Sequence, residues 1–455
     1  MKELKIVLTE EMLKEPLDFE LPTQTLYIDR SKVGDIKERG HNLIGFARRE
    51  KRATELIVKL ASNGFFLVSS LAGNSKFEKF TTAKEFQSNI KVKNLQIYNN
   101  IYYTLEKPLL NFAPNRLIVI FSSVADRAFN ADIAVRNFFT NFGTISKYIP
   151  QNSYILRIAD VGGVIGNFYM NTTFSNTIED DIQGLLKYIL KSNNIDKNSV
   201  VLYGGSKGGT AALYHGILGK YKAVAVDPIV SDEYHEQHSK DSHFTKQYGE
   251  YRIYPKTKQD KFTTLMKTND ISENINIIYS EQSPIYEAIN SIIKENDKDN
   301  KINYINVCHP QIKTHPDVAA KTINILMLVI NNLFYELAEI KSKDIDCSKT
   351  ITKKIDIKAE LKLTKLIIYT DNQNMSLRVY DDATLKKYTD ISLNESTTEI
   401  SLFKLKEKLL SVIDTNNSIE YELVVDLEKS SLLSKIASYK NIAKNGKEFL
   451  FLAIG

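Results

Sequence analysis

The run Val200-Val201-Leu202-Tyr203-Gly204-Gly205-Ser206-Lys207-Gly208-Gly209-Thr210-Ala211-Ala212-Leu213 constrains this chain more than any other segment. Four residues that read as a buried strand lead into Gly-x-Ser-x-Gly, and a helix-compatible stretch follows. A tight strand-to-helix turn of this kind lifts one serine above the edge of a sheet and holds its backbone in a strained conformation. The residues two before and two after that serine must then be small, and Gly204 and Gly208 fill those places. The backbone N–H of Lys207 then points to where an oxyanion would form. The pattern predicts acyl chemistry through Ser206.

Around this turn, residues 91–337 alternate strand and helix in the manner of a mostly parallel α/β sheet. Strands are expected at 94–98 and 101–105, as a hairpin around Asn99-Asn100, and at 116–121, apolar throughout and so buried on both faces. An amphipathic stretch over 132–148 comes next, then a strand at 154–158, a helix over 177–190 and the elbow strand at 200–203. Further strands are expected at 223–226, 275–279 and 302–307, with helices over 285–293 and 318–337. Ser206 therefore follows the fifth strand of an eight-strand series, the position of the nucleophile in an α/β-hydrolase fold. A polar segment rich in tyrosine and histidine, 231–267, interrupts the rhythm and reads as an ordered cap. The expected architecture is α/β: a small N-terminal α/β domain (1–90) with a helix over 53–61, a strand at 64–69 and a short helix near 83–88, an α/β-hydrolase domain (91–342) and a β-rich, sandwich-like C-terminal domain (343–455).

Composition excludes several other classes. Of 455 residues 43% are hydrophobic and 25% charged, the balance of an ordinary globular protein. The net charge of +5 is spread over mixed-sign stretches with no basic block, which argues against a nucleic-acid partner. Cys308 and Cys347 have no metal-like spacing and rule out a disulfide scaffold. The first ten residues include Glu3 and Glu10, where a signal peptide needs an apolar core, and the apolar stretch 323–337 is too short for a membrane span. A cytoplasmic location is expected, with peripheral attachment at the inner face of the membrane left open.

A serine hydroxyl needs a base, and in this fold the chain order is serine, acid, histidine. Helix geometry turns His215, nine residues on, away from the hydroxyl. The base belongs on the loop after the last strand, which offers His315 first and His309 as runner-up. The acid should follow the strand at 275–279, where Glu281 is the carboxylate before the helix; Asp227, directly after the sixth strand, is the alternative. The second oxyanion donor should come from the loop Ser122-Ser123-Val124 through the backbone of Ser123 or Ser122, together with Lys207. The Lys207 side chain itself reads as solvated. His235, His238 and His243 lack the acidic spacing of a metal site, and Asp160-Gly162-Gly163 lacks the Gly-x-Gly-x-x-Gly pattern of a dinucleotide loop.

The segment from Gly204 to Leu213, preceded by Leu117-Ile118-Val119-Ile120-Phe121-Ser122-Ser123, resembles bacterial capsule biosynthesis proteins of the XcbB/CpsF type. It is also similar to α/β-hydrolase O-acetyltransferases that modify capsular polysaccharide, and to an accessory Sec acetyltransferase with a Ser-Glu-His triad. The resemblance covers roughly 91–337. It implies Ser206 as nucleophile, His315 as base and an oxyanion amide near Ser123. Glu281 matches the secretion-linked relatives, whereas the capsule enzymes carry aspartate after this strand.

The expected function is O-acetylation of a capsular or surface glycan, with acetyl-CoA as co-substrate, no bound cofactor, and other capsule enzymes as possible neighbours at the membrane. A carboxylester hydrolase or deacetylase with the same residues, and a non-catalytic capsule-assembly protein on the same scaffold, are the alternatives.

Overall fold

The computed structural model describes residues 1–34, 42–80, 83–110, 113–138, 140–238, 240–241 and 243–335, and beyond these the backbone of strands within 352–453. The chain forms two compact units, Met1–Ile275 with Glu287–Ile302, and Asn276–Tyr286 with Asn303–Gly455.

The first unit opens with β1 (Glu3–Val7), β2 (Thr25–Asp29), α1 (Leu43–Ala47), α2 (Lys51–Ser62), β3 (Phe65–Leu71), β4 (Asn74–Lys79) and α3 (Ala83–Asn89). The strands form a sheet of order β1-β2-β4-β3, with β1 and β2 parallel and the other pairs antiparallel. Helix α2 buries Ala53, Leu56, Ile57 and Leu60 along one stripe, the helical spacing that made it legible. This region shares a core with residues of the main sheet and its connections: Phe86 and Ile90 pack with Tyr102, Ile133 and Ala159. Buried Arg136 also donates from Nη2 to the Leu67 carbonyl at 3.0 Å.

The main sheet of this unit is built from β5 (Gln96–Tyr98), β6 (Ile101–Glu106), β7 (Asn115–Phe121), α4 (Ile133–Asn137), β8 (Ser153–Ile158), α5 (Ile178–Ser192), β9 (Ile195–Gly205), α6 (Lys207–Gly219) and β10 (Lys222–Val226), followed by α7 (Glu233–His238) and α8 (Lys258–Thr268). Its order is β10-β9-β7-β8-β6-β5. Strands β7 to β10 run parallel, while β6 is antiparallel to both β5 and β8. After β7 the chain moves outward to β8, then crosses back to lay β9 on the other side of β7. The loops leaving β7 and β9 therefore diverge, and an open α/β sheet binds its ligands in the crevice at such a switch point.

Residues 132–148 differ from the expected amphipathic stretch. Among the described residues α4, capped by Asp132, is left at Phe138, and a single 3-10 turn follows at Ile145–Lys147. The cause is tertiary. Asn141 donates from Nδ2 to Ser123 Oγ at 2.7 Å and to the Phe121 carbonyl at 3.3 Å, while its own carbonyl accepts from Arg157 Nη1 at 2.6 Å. Buried polar bonds of this kind outweigh a local periodicity.

In the second unit β11 (Ile275–Tyr279), entering at Asn276, pairs in parallel with β12 (Asn303–Asn306). In the chain between them comes α9 (Tyr286–Ala288), which belongs to the first unit from Glu287 on, and after them come α10 (His315–Lys321) and α11 (Ile323–Tyr335). The continuous helix expected over 318–337 is broken: α10 and α11 meet at 63°. At the break Thr322 donates from Oγ1 to the Val318 carbonyl at 2.7 Å, a back-bond that bends helices. The strands β13 (Thr352–Lys358), β14 (Leu363–Tyr369), β15 (Met375–Asp381), β16 (Lys386–Leu393), β17 (Thr397–Ile400), β18 (Ser418–Val425), β19 (Asn441–Lys444) and β20 (Lys447–Ala453) form two four-stranded sheets, β13-β18-β15-β16 and β17-β14-β20-β19. Among the described residues no single helix is long and apolar enough to cross a membrane.

Candidate active site

Strand β9 delivers Ser206 to the start of α6 with φ +56° and ψ −121°. An L-residue held there costs about 1–3 kcal/mol and persists only where its surroundings over-determine it. The Ser206 amide donates to the Val226 carbonyl at 2.9 Å, fastening the turn to β10, and its carbonyl accepts the Thr210 amide at 3.0 Å as the first bond of α6. A Cβ on Gly204 would lie 2.1 Å from the Gly208 carbonyl oxygen, and one on Gly208 would lie 2.3 Å from that of Phe121. The two glycines are therefore required by the close approach of backbone. We expect Gly208→Ala to destabilise the protein by roughly 1–3 kcal/mol, read as a lower urea midpoint, because the first turn of α6 and the end of β7 must separate. With the strand order above, this turn decides the architecture. The main sheet has an α/β-hydrolase-like fold.

The Lys207 side chain is where the structure corrects the sequence reading. It is not solvated: its Nζ lies 2.8 Å from Asp160 Oδ2, and both side chains are 0% exposed. The first three turns of α6 are buried on every face, so an ammonium there must find a partner. Asp160, just after β8, provides it, and a second Lys207 bond goes to the Ile165 carbonyl at 3.3 Å. The same carboxylate accepts the amides of Asn167, Phe168 and Tyr169 at 3.0, 3.1 and 3.0 Å. The Asp160-Gly162-Gly163 region is thus a loop wound around a carboxylate.

On the β7 side the two serines separate. The Ser122 amide donates to Tyr169 Oη at 2.6 Å, so it is already engaged. The neighbouring Ser123 is half-buried, and its hydroxyl donates to the Gly205 carbonyl at 2.8 Å, which ties the β7 loop to the elbow. That leaves the backbone amide of Ser123, rather than that of Ser122, as the candidate donor beside Lys207.

His215, on α6, is fully buried, as its place on the helix implied. Its Nε2 lies 2.9 Å from the Tyr169 carbonyl and its Nδ1 3.1 Å from Gln183 Nε2, so the ring is neutral with the proton on Nε2. Burial pushes its pKa from 6.5 down to about 4. The unfolded chain therefore binds a proton that the folded one refuses as pH falls through 6.5 toward 4. Stability contributed by this group is complete above that window, and about 3 kcal/mol of it is lost across it. Urea midpoints of the wild type and His215→Gln, compared from pH 7 to 4.5, should converge as the wild-type advantage disappears.

Of the two carboxylates considered for the acid, Asp227 is 1% exposed and follows Val226, the residue whose carbonyl holds the Ser206 amide. Glu281 is exposed, with its amide donating to Asn306 Oδ1 at 3.2 Å. His315 is half-buried as the first residue of α10, steadied by a capping box in which Asp317 accepts from the Thr314 amide and hydroxyl. His309 is buried and its Nδ1 accepts the Gln311 amide at 3.1 Å. That bond places the His309 proton on Nε2, the nitrogen that a general base must present bare.

In the segment 231–267, Lys258 and Asp232 form a buried ion pair, and the His235 and His243 rings meet edge to face at 4.3 Å. These histidines pack as aromatic side chains, and His243 also lies against Phe168 at 5.6 Å. The segment encloses a polar cleft of about 560 Å³ bordered by Ser231, Asp232, Arg252, Tyr254 and Lys256. A larger cleft of about 810 Å³, lined by Lys187, Lys191, Lys197, Lys220 and Tyr221, lies at the start of β9. Ser206 sits at the other end of that strand, roughly 25 Å away at the rise of the paired strand β7. The larger cleft is therefore remote from the elbow.

No protein-family model matches the chain, and no curated protein matches it. Among solved structures it is similar to the capsule O-acetyltransferase of Neisseria meningitidis serogroup A in complex with CoA, at 16% identity over 53% of this chain and 99% of that one, with a TM-score of 0.39. It is also similar to a glycosylation-associated protein complex from Streptococcus agalactiae (15% identity, 56% and 48% covered, TM-score 0.37). A third is the fluorophosphonate-binding serine hydrolase F of Staphylococcus aureus (12% identity, 53% and 95% covered, TM-score 0.35).

Asp160, Tyr169 and Asn141 were not singled out as site residues in the sequence. Only the Gly162-Gly163 pair after Asp160 signalled an unusual loop, and nothing local shows what that loop grips.

Proposed function

We propose that this protein catalyses serine-dependent acyl transfer to a capsular or surface polysaccharide, by O-acetylation through an acyl-Ser206 intermediate. The observation that carries the reading is the Ser206 backbone at φ +56°, ψ −121°, with glycines two residues to either side. The resemblance of Gly204–Leu213 to capsule proteins of the XcbB/CpsF type and to capsule O-acetyltransferases supplies the substrate class. In the proposed cycle Ser206 Oγ attacks the thioester carbonyl of acetyl-CoA, and its proton passes to His315. The amides of Lys207 and Ser123 hold the oxyanion, the carbon–sulfur bond breaks, and the thiolate of CoA leaves with the proton from the imidazolium. A sugar hydroxyl then attacks the acyl-serine, giving its proton to the imidazole, which returns one to Ser206 as the glycan ester departs.

The acid that orients the imidazole works out of water. Burial favours Asp227 for this role over Glu281, the first choice by its place after the strand at 275–279. Other capsule enzymes at the inner face of the membrane are the proposed neighbours. Incubation with acetyl-CoA followed by intact-mass measurement tests the reading: a single acetyl on Ser206, discharged by adding a glycan acceptor, is expected. An adduct that water alone discharges at the same rate points to a hydrolase. No adduct, together with no fluorophosphonate labelling of Ser206, points to a non-catalytic role and overturns the proposal.

A further inference from the structure

Two candidate oxyanion donors, the amides of Ser123 and Lys207, come from different strands, and both lead to one loop. Lys207 is gripped through its side chain by Asp160 Oδ2 at 2.8 Å. The residue before Ser123 is gripped through its amide by Tyr169 Oη at 2.6 Å. The Tyr169 hydroxyl in turn donates to the Ile158 carbonyl at 3.0 Å, at the end of β8. Asp160 accepts the Tyr169 amide, and the Tyr169 carbonyl accepts from His215 of α6. The tyrosine ring is wedged edge-on against Phe121, the last residue of β7, with centroids 4.9 Å apart. Phe168 and Tyr169 both adopt positive φ, +56° and +60°, a conformation that these residues hold only under constraint. A Cβ on Gly166 would collide with Asp160 Oδ2 at 2.1 Å and lie 2.6 Å from Lys207 Nζ, so the loop closes tightly over the ion pair.

We infer that Asp160 and Tyr169 are positioning residues that hold the two halves of the oxyanion site, the Lys207 amide and the Ser123 amide, at a set separation. The inference rests on the acyl-transfer reading above and assigns it two residues that touch no substrate. Preorganised donors lose most of their value when displaced by about an ångström, which costs roughly 100-fold in rate. The Tyr169 hydroxyl is the more selective probe, because phenylalanine keeps the ring contact with Phe121 and removes only the two hydrogen bonds.

In Tyr169→Phe, amide hydrogen exchange at Ser122 should rise, since its acceptor is gone. Fluorophosphonate labelling of Ser206 and kcat for acyl transfer should fall by roughly 10- to 100-fold, with KM for the acyl donor within about twofold of wild type. Should Tyr169→Phe fold poorly, the double variant Asp160→Asn/Lys207→Met keeps an acceptor for the loop amides without burying a lone ammonium, and should show the same split between kcat and KM. A merely structural role would lower the melting temperature and leave the rate per folded molecule unchanged. Wild-type labelling rates in a variant with raised Ser122 exchange would overturn the inference alone. Absence of labelling in the wild type would overturn the acyl-transfer reading, and the inference with it.

Discussion

Replacing Ser206 by alanine is expected to lower acyl transfer about 10⁴-fold or more while leaving the protein folded. In the proposed cycle the hydroxyl is the group that forms the covalent bond, and the residual rate would come from the oxyanion amides and binding alone. Alanine keeps the Ser206 amide bond to Val226 and the carbonyl bond to Thr210, so the turn survives the change. It also keeps the cost of an L-residue at φ +56°. Ser206→Gly should therefore be as inactive as Ser206→Ala but more stable, by an amount on the order of 1 kcal/mol, because glycine occupies that region without steric penalty. Acetyl transfer from labelled acetyl-CoA and urea unfolding, run on the same three proteins, check both halves. Equal activity in wild type and Ser206→Ala would remove Ser206 from the chemistry.

The second large effect is expected at Asp160. Asp160→Ala strands the Lys207 ammonium in a fully buried site with the Ile165 carbonyl at 3.3 Å, and leaves three loop amides without their carboxylate. Removing one partner of a buried ion pair costs about 3–5 kcal/mol, a large share of the stability of a typical domain. The matching change, Lys207→Met, should cost less, because the carboxylate keeps three amide donors. The double variant Asp160→Asn/Lys207→Met should be more stable than Asp160→Ala, since no charge is then buried. Urea unfolding of the three variants decides the matter. If Asp160→Ala unfolds at the wild-type urea concentration, the pair carries no structural weight.

Much of the first unit was legible because its signals are local. The apolar run of β7 and the one-sided stripe of α2 declare a buried strand and an amphipathic helix within a few residues. The elements missed at the N-terminus are of another kind. Strand β1 alternates charged with half-buried apolar residues from Glu3 to Ile6, leaves Val7 exposed, and takes its strand conformation from pairing with β2. Residues 132–148 misled for the opposite reason: the periodicity is present, but Asn141 is drawn out of any helix by Ser123 and Phe121. The break between α10 and α11 likewise falls at a buried hydroxyl, that of Thr322, which bonds back to the Val318 carbonyl.

The candidate site divides along the same line. By itself the sequence determined which serine is lifted at the strand-to-helix turn, and that Gly204 and Gly208 must flank it. These are requirements of backbone geometry within five residues, and only glycine meets them. Tertiary structure alone decided that the Lys207 side chain is buried on Asp160, and that the Ser122 amide is taken by Tyr169. Those choices are made by desolvation. A charge or an amide carried into the core must be met by whichever polar group the fold brings there, and the fold brings these from far along the chain.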